Sequence, residues 1–188
     1  MGIWKTAAVA TATVLLATGA WAAPLKLKPA SPQPSGLKQG LAVKYAYPKD
    51  VKTLGNAERA LRKAKAGKPL AGLDYRDTND GDKTLTSDRA HHVVAKITGY
   101  VKFDAPGTYS IDFLTNDGLD AKIGGQAVAY FNGRQPCQAT QPVQAEVPQA
   151  GWYAVDITYF QRLGTACLHM RAGQGKATWM KNAAFGYK

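Results

Sequence analysis

The stretch Gly151-Trp-Tyr-Ala-Val-Asp-Ile-Thr-Tyr-Phe160 alternates between two sets of side chains along its length. In an extended chain, successive side chains point to opposite sides. The two sets are Tyr153, Val155, Ile157 and Tyr159 on one side, and Trp152, Ala154, Asp156 and Thr158 on the other. The first set is apolar and the second is mixed, which is typical of a strand with one buried face. The stretch therefore predicts a β-strand that covers a core.

The same period recurs on both sides of this strand. Thr108–Leu114 alternates in the same way, and we expect Tyr109, Phe113 and Trp179 to be core residues. Short segments separated by Gly and Pro turns predict further strands. They are residues 41–47, 70–75, 92–103, 121–131 with a turn at Gly124-Gly125, 143–147, 164–170 and 178–187. So many short strands predict a sandwich or a barrel.

One segment differs from this pattern. Residues 56–66 are rich in Ala, Glu, Arg, Leu and Lys, which favour a helix. Asn56 is a suitable N-cap, and Gly67 is a suitable residue to end the helix. We expect one short helix of about ten residues here.

The first 22 residues have the pattern of a secretory signal peptide. Lys5 precedes an apolar run, Ala7–Ala17, that is too short to cross a bilayer as a helix. Ala20 and Ala22 supply the small residues of a cleavage site, so we expect cleavage after Ala22 and no transmembrane anchor afterwards. A buried N-terminal helix and an uncleaved anchor remain as alternatives. The pattern predicts an exported protein, in the periplasm or outside the cell.

The next segment, residues 23–39, contains four prolines together with Ser and Gly. Proline donates no backbone hydrogen bond and is excluded from central strands and helix interiors. The segment predicts an extended, Pro-rich linker that precedes a domain starting at residue 40.

The chain is basic, with a formal net charge of +11. Such a charge draws an exported protein towards anionic surfaces, including envelope polymers. The positive residues are scattered and form no run of five or six, so we expect no specific nucleic-acid partner. The alternative is that the charge only keeps the protein in solution.

Cys137 and Cys167 form an even pair in the predicted mature chain. In an oxidising compartment such a pair forms a disulfide bond. Two buried free thiols are the alternative.

Several segments, in the same order, resemble the PA-fourteen domain family, named after the anthrax protective antigen. They are residues 40–47, 99–109, 115–118, 121–125, 150–153, 155–160 and 164–168. The resemblance covers residues 40–188 and implies a mainly β fold, an antiparallel β-sandwich with jelly-roll-like strand order. It also implies a binding role, because the family occurs in secreted and surface proteins, toxins, adhesins and glycosidases.

The resemblance also implies a site. In the sugar-binding members of the family, two consecutive aspartates in an acidic loop are joined by a cis peptide bond and hold calcium, which the sugar hydroxyls also contact. Here the loop has Asn116 and Asp117, so the first charge is absent. Asp112 and Asp120 are near in sequence, and Tyr130 offers a ring on which a sugar can stack.

We therefore predict Asn116, Asp117, Asp120 and Tyr130 as ligand-binding residues, with Asn116 and Asp117 as ligands of a calcium ion (Ca2+). The alternative is that Asn116-Asp117 is a structural turn.

We expect no enzymatic activity. The adjacent residues His91 and His92 would face opposite sides of a strand, and the chain has neither a G-x-S-x-G nor an H-E-x-x-H motif. The predicted function is a secreted, non-catalytic module that binds carbohydrate or a cell-envelope glycan, with calcium as the candidate cofactor. One alternative is a structural or protein-interaction domain of the envelope with a protein partner. A weaker alternative is binding to an anionic envelope polymer by charge alone.

Overall fold

The computed structural model describes residues 23–188, so the predicted signal peptide, residues 1–22, lies outside the described residues. The strands are β1 Leu25–Lys26, β2 Lys38–Gln39, β3 Ala42–Ala46, β4 Lys65–Ala66, β5 Asp74–Tyr75, β6 Val93–Phe103, β7 Gly107–Thr115, β8 Gly118–Ile123, β9 Gln126–Phe131, β10 Gln138–Ala139, β11 Val143–Val147, β12 Gly151–Gln161, β13 Leu168–Gly173, β14 Thr178–Trp179 and β15 Phe185–Tyr187. An α-helix, α1, spans Leu54–Leu61, and a 3-10 turn spans Asn182–Ala184.

The strands of residues 23–188 form two sheets. Sheet A has the order β1-β11-β7-β13-β14, with β10 also paired to β7 and β5 also paired to β13. Sheet B has the order β2-β15-β6-β12-β8-β9, with β3 also paired to β6 and β4 paired to β3. Strand β1 runs parallel to β11, whereas β12 is antiparallel to both of its neighbours, β6 and β8. The predicted mainly β sandwich is confirmed.

The core lies between the two sheets, and the alternation along β12 explains why. Tyr153, Val155, Ile157 and Tyr159 are at most 3% exposed, whereas Ala154 and Asp156 on the other side are exposed. Burial of a large apolar side chain contributes roughly 1.5–3 kcal/mol to folding. Phe113 is buried from sheet A, and Tyr109 is half-buried against the same core.

The expectation that Trp179 is a core residue is wrong, because its side chain is 41% exposed. Trp179 lies in the two-residue strand β14 at the edge of sheet A, where it stacks on His169 instead of entering the core. A two-residue strand gives too little sequence to decide which face its side chains take.

The helix is present but shifted relative to the prediction. It spans Leu54–Leu61 instead of residues 56–66, because Thr53 caps it one turn before Asn56. The Thr53 Oγ1 atom accepts a hydrogen bond from the Asn56 backbone N–H at 3.2 Å, as an N-cap does. Leu54 and Ala57 pack against Phe160 on the outer face of sheet B. Residues after Leu61 return to an extended chain and form β4.

The Pro-rich segment, residues 23–39, is extended and lies on the sandwich. Strand β1 adds to β11, and the Leu27 side chain is 1% exposed. Further along, the Ala30 N–H donates to the Trp152 carbonyl at 2.9 Å, and Gln33 Oε1 accepts from the Trp152 N–H at 2.7 Å. These contacts tie the segment to both sheets, while the domain boundary at residue 40 stays a prediction. None of the helices within residues 23–188 has the length and apolar character to cross a bilayer.

Cys137 and Cys167 form a disulfide bond. The bond joins the residue before β10 to the residue before β13, so it ties together the starts of two strands that pair with β7 in sheet A.

Removal of this disulfide is expected to lower the free energy of unfolding. The bond closes a loop with a sequence separation of 30 residues, for which the chain-entropy model gives about 3.5 kcal/mol. Urea unfolding of the Cys137→Ala/Cys167→Ala variant should therefore show a clearly lower midpoint than the oxidised chain, and chemical reduction of the wild type should do the same. Equal midpoints for the oxidised chain and the double variant would contradict this.

Candidate functional site

Asn116 and Asp117 form the crossing from sheet A to sheet B. Strand β7 of sheet A ends at Thr115 and strand β8 of sheet B begins at Gly118, so two residues make the connection. Asp117 has φ of 57°, in the left-handed region that Asn and Asp tolerate better than most residues. The sequence Asn-Asp-Gly suits this tight crossing.

The Asp117 carboxylate connects two loops. Its Oδ2 atom accepts a hydrogen bond from the Arg162 backbone N–H at 2.6 Å, and its Oδ1 atom accepts one from the Gln135 backbone N–H at 3.3 Å. The Asp117 N–H donates to the Gln135 carbonyl at 3.1 Å. The side chain therefore holds the loop after β9 and the loop after β12 against the turn.

Asn116 attaches the turn to the loop that precedes β13. Its backbone N–H donates to the Cys167 carbonyl at 3.1 Å, and its Nδ2 donates to Thr165 Oγ1 at 3.5 Å. The side chain is buried, and its Oδ1 atom has no hydrogen-bond partner among the described residues. A single long hydrogen bond leaves this amide more freedom to turn than the Asp117 carboxylate has.

Burial and charge act in opposite directions on the Asp117 carboxyl. Burial raises its pKa, whereas the two backbone N–H donors and the positive charges of Arg134 and Arg162 lower it. The guanidinium of Arg162 turns away to pair with Asp50, with Nε 2.8 Å from Oδ1. That hydrogen bond is the main reason why the pKa of Asp50 falls to about 2.

A cleft of about 410 Å³ opens beside the turn. Its walls are Asn116, Asp117, Arg134, Gln135, Pro136, Arg162, Leu163, Gly164 and Thr165. Arg134 is exposed, and Leu163 is 48% exposed. The cleft thus combines a guanidinium, a hydroxyl and an amide with a small apolar wall. Such a set can hydrogen-bond the hydroxyl groups of a ligand and cover part of its apolar surface.

The residues of this turn do not fit a calcium ion. Calcium takes six to eight oxygen ligands, whereas this turn offers only Asn116 Oδ1 and the remaining lone pairs of an Asp117 carboxylate whose oxygens each accept a backbone hydrogen bond. The positive charges of Arg134 and Arg162 act on the same carboxylate and would repel a cation. Within residues 23–188, no three His, Cys, Asp or Glu side chains gather as a metal site would require, and the Asn116–Asp117 bond is not a cis peptide.

The other two predicted ligand residues lie elsewhere. Asp120 and Tyr130 face each other across β8 and β9, on the outer face of sheet B. Tyr130 is 63% exposed and borders a separate groove of about 400 Å³ beside the edge strand β9. Gln135 lines both this groove and the cleft. The structure therefore brings Asn116 together with Asp117, and Asp120 together with Tyr130, as two separate pairs.

Asp112 does not support the turn, contrary to the suggestion from its position in the sequence. Its carboxylate is buried and binds the Arg171 guanidinium through two hydrogen bonds of 2.7 and 2.8 Å. Strand β13 pairs with β7 at this point and places Arg171 opposite Asp112. Asp112 therefore stabilises the pairing of β7 with β13 in sheet A.

Sequence reasoning missed Arg134, Gln135, Arg162 and Thr165 as residues of the cleft. They lie in two loops that are far apart in the chain and carry no motif. The usable signal was the cysteine pair, because Cys137 lies two residues after Gln135 and Cys167 two residues after Thr165. A predicted disulfide places both loops at one end of the fold.

Three solved structures are similar to this chain. The PA14 domain of the antifreeze protein MpAFP is 16% identical, with a TM-score of 0.67 over 82% of this chain and 93% of that one. A PA14 sugar-binding domain from an RTX adhesin is 17% identical, with a TM-score of 0.63 over 80% and 99%. The Epithelial Adhesin 6 A domain from Candida glabrata, solved with Galb1-3GlcNAc, is 12% identical, with a TM-score of 0.67 over 88% and 94%.

No family model matches the chain, and no curated protein matches it. At such low identity, these solved structures support a conclusion about the fold alone. The chain has a PA14-like β-sandwich fold, as the resemblance implied.

The Asp117→Asn substitution is expected to lower the free energy of unfolding by about 1–3 kcal/mol. Asn tolerates the same left-handed backbone, but its amide replaces one acceptor oxygen with a donor that faces a backbone N–H. Thermal and urea unfolding measure the loss. The control is Asp120→Asn, since Asp120 contacts Lys122 at 3.8 Å through a weak ion pair. Equal stability of both variants would contradict a structural role for Asp117.

Proposed function

We propose that this chain is an exported, non-catalytic module that binds carbohydrate in the cleft beside Asn116 and Asp117 and does so without calcium. The observation that carries the proposal is the position of the cleft. It opens at the turn where the resemblance places the sugar contacts, on a fold shared with an RTX adhesin domain described as sugar-binding and with an adhesin domain solved with Galb1-3GlcNAc.

Polar side chains that line the cleft can form hydrogen bonds to a sugar. The exposed Arg134 donates several hydrogen bonds in a fixed plane, and Thr165 both donates and accepts. The Asn116 amide lies at the wall and is held by one hydrogen bond of 3.5 Å. The positive charge of Arg134 lowers the pKa of Asp117 and so favours its ionised form, as a bound cation would.

The same geometry supports a non-catalytic role. Hydrolysis of a glycosidic bond requires two carboxyl groups on opposite sides of the bond. Among the described residues that line the cleft, Asp117 alone carries a carboxylate, and both of its oxygens accept backbone N–H groups.

Export is supported by two features of different kinds. The disulfide between Cys137 and Cys167 persists in oxidising compartments and is rare in the cytosol. The pattern of the first 22 residues adds a signal for secretion. We therefore place the protein in the periplasm or outside the cell, where glycans and anionic envelope polymers are its candidate partners.

A protein-interaction domain is the second candidate function. It is favoured by the groove beside the edge strand β9, where Tyr130 is 63% exposed among small apolar residues. Exposed aromatic rings beside an unpaired strand edge are common at protein interfaces.

A glycan array at physiological salt tests the carbohydrate proposal. The wild-type chain is expected to bind at least one glycan, and Arg134→Ala is expected to weaken that binding about tenfold or more. A hydrogen bond to a charged group contributes about 1.5–3 kcal/mol, and 1.4 kcal/mol corresponds to a factor of ten.

Two matched variants serve as controls in this experiment. Lys122→Ala removes one exposed positive charge outside the cleft, and Tyr130→Ala removes the aromatic ring of the groove. Both should bind as the wild type does. An equal loss in Lys122→Ala would indicate binding by charge alone, and a silent array would favour the protein-interaction function.

Calcium is expected to have no effect on this protein. The melting temperature should be the same in millimolar calcium and in excess chelator, because a ligand that does not bind the folded state cannot stabilise it. Glycan binding should also survive chelation. A rise in melting temperature with calcium that is abolished in Asp117→Asn would show that the turn does hold the ion.

A further inference from the structure

Trp179 lies as a flat ring on the outer face of sheet A. Its strand, β14, pairs with β13, and Trp179 is opposite Arg171. The indole stacks on the His169 imidazole, with 3.8 Å between ring centroids and 16° between planes. The Arg171 guanidinium lies 5.0 Å from the Trp179 ring. The side chain is nevertheless 41% exposed, so a large part of this ring contacts no other residue.

The two side chains that contact the indole, His169 and Arg171, are held in place by the rest of sheet A. His169 and Arg171 are two residues apart on β13, so they project from the same face of the sheet. Arg171 is held by two hydrogen bonds to the buried Asp112 carboxylate. His169 is 2% exposed. Because its supports are fixed, the indole needs little further ordering when a ligand covers it, which lowers the cost of binding.

A cavity of about 180 Å³ adjoins the indole. Its other lining residues are Arg76, Asp77, Leu114, His169 and the disulfide of Cys137 with Cys167. It is smaller than the roughly 300 Å³ at which pockets for drug-sized ligands begin. The cavity therefore suits a small unit such as one sugar ring, with an apolar floor and with Arg76 and Asp77 exposed at its side.

His169 lines this cavity with a buried imidazole ring. Its Nε2 atom is buried and lies 3.0 Å from Asp74 Oδ1, but the two atoms are not in hydrogen-bond geometry. Burial lowers the pKa of His169, which outweighs the opposite effect of the Asp74 charge, so the ring is neutral near pH 7. The neutral, buried His169 ring is a flat support for the indole.

We propose that Trp179 and this cavity form a second carbohydrate-binding site, on the outer face of sheet A. A pyranose ring presents apolar C–H groups on its face and hydroxyls at its edge. The face stacks on the exposed indole, and hydroxyls reach the exposed polar groups of Arg76 and Asp77. The site stands apart from the cleft at Asn116-Asp117, because no residue lines both.

NMR spectroscopy of the indole N–H groups tests this site directly. The chain has four tryptophans, and the signal that disappears in Trp179→Phe identifies Trp179. Lactose, cellobiose and N,N′-diacetylchitobiose are added separately at about 10 mM, which nearly saturates a site with a dissociation constant of about 1 mM. At least one of them should move the Trp179 signal. If none does, the proposal is wrong.

Variants separate this site from the cleft. For the sugar that moves the signal, Trp179→Ala should weaken the binding measured by calorimetry about tenfold, whereas Trp179→Phe, which keeps an aromatic ring, should weaken it less. Tyr130→Ala, the other exposed aromatic ring, should bind normally. Arg134→Ala should leave the Trp179 response intact, even where it abolishes binding in the cleft. Loss of the Trp179 response in Arg134→Ala would show that the indole only reports on the cleft and would overturn the second site.

Discussion

The buried carboxylate of Asp117 is the contact on which the functional end of this sandwich depends. The chain crosses from one sheet to the other in two residues, and there it meets two loops that have no regular structure of their own. Each loop directs a backbone N–H at the carboxylate. A buried N–H without a partner is costly, so the loops and the turn stabilise one another.

The disulfide bond joins the same two loops covalently. It closes Cys137 onto Cys167, next to the carbonyl that accepts the Asn116 N–H. The hydrogen bonds to the carboxylate orient the two loops, and the disulfide bond keeps them close together. Together they shape the cleft, while the disulfide itself lines the cavity beside Trp179.

The use of Asp117 in this chain differs from the role that the resemblance implies for the acidic loop. Its two oxygens accept backbone N–H groups from two loops, and burial raises its pKa although the charges of Arg134 and Arg162 lower it. With Asn116 in place of the first acidic residue, the turn also carries one charge fewer.

The amino-acid sequence was sufficient to predict the class of fold, because strands such as β12 have one apolar face and the single short helix is too small to cover them all, which leaves a second sheet as the partner. It also predicted the disulfide, with two free thiols as the alternative, and a short helix, which begins earlier than predicted because Thr53 caps it. The tertiary structure alone decided which side chains share a surface. Asn116 and Asp117 are buried, whereas Asp120 and Tyr130 lie on another face. Trp179 lies outside the core. These outcomes depend on contacts between distant segments, such as Arg162 with Asp117 and His169 with Trp179, and local sequence carries no record of such contacts.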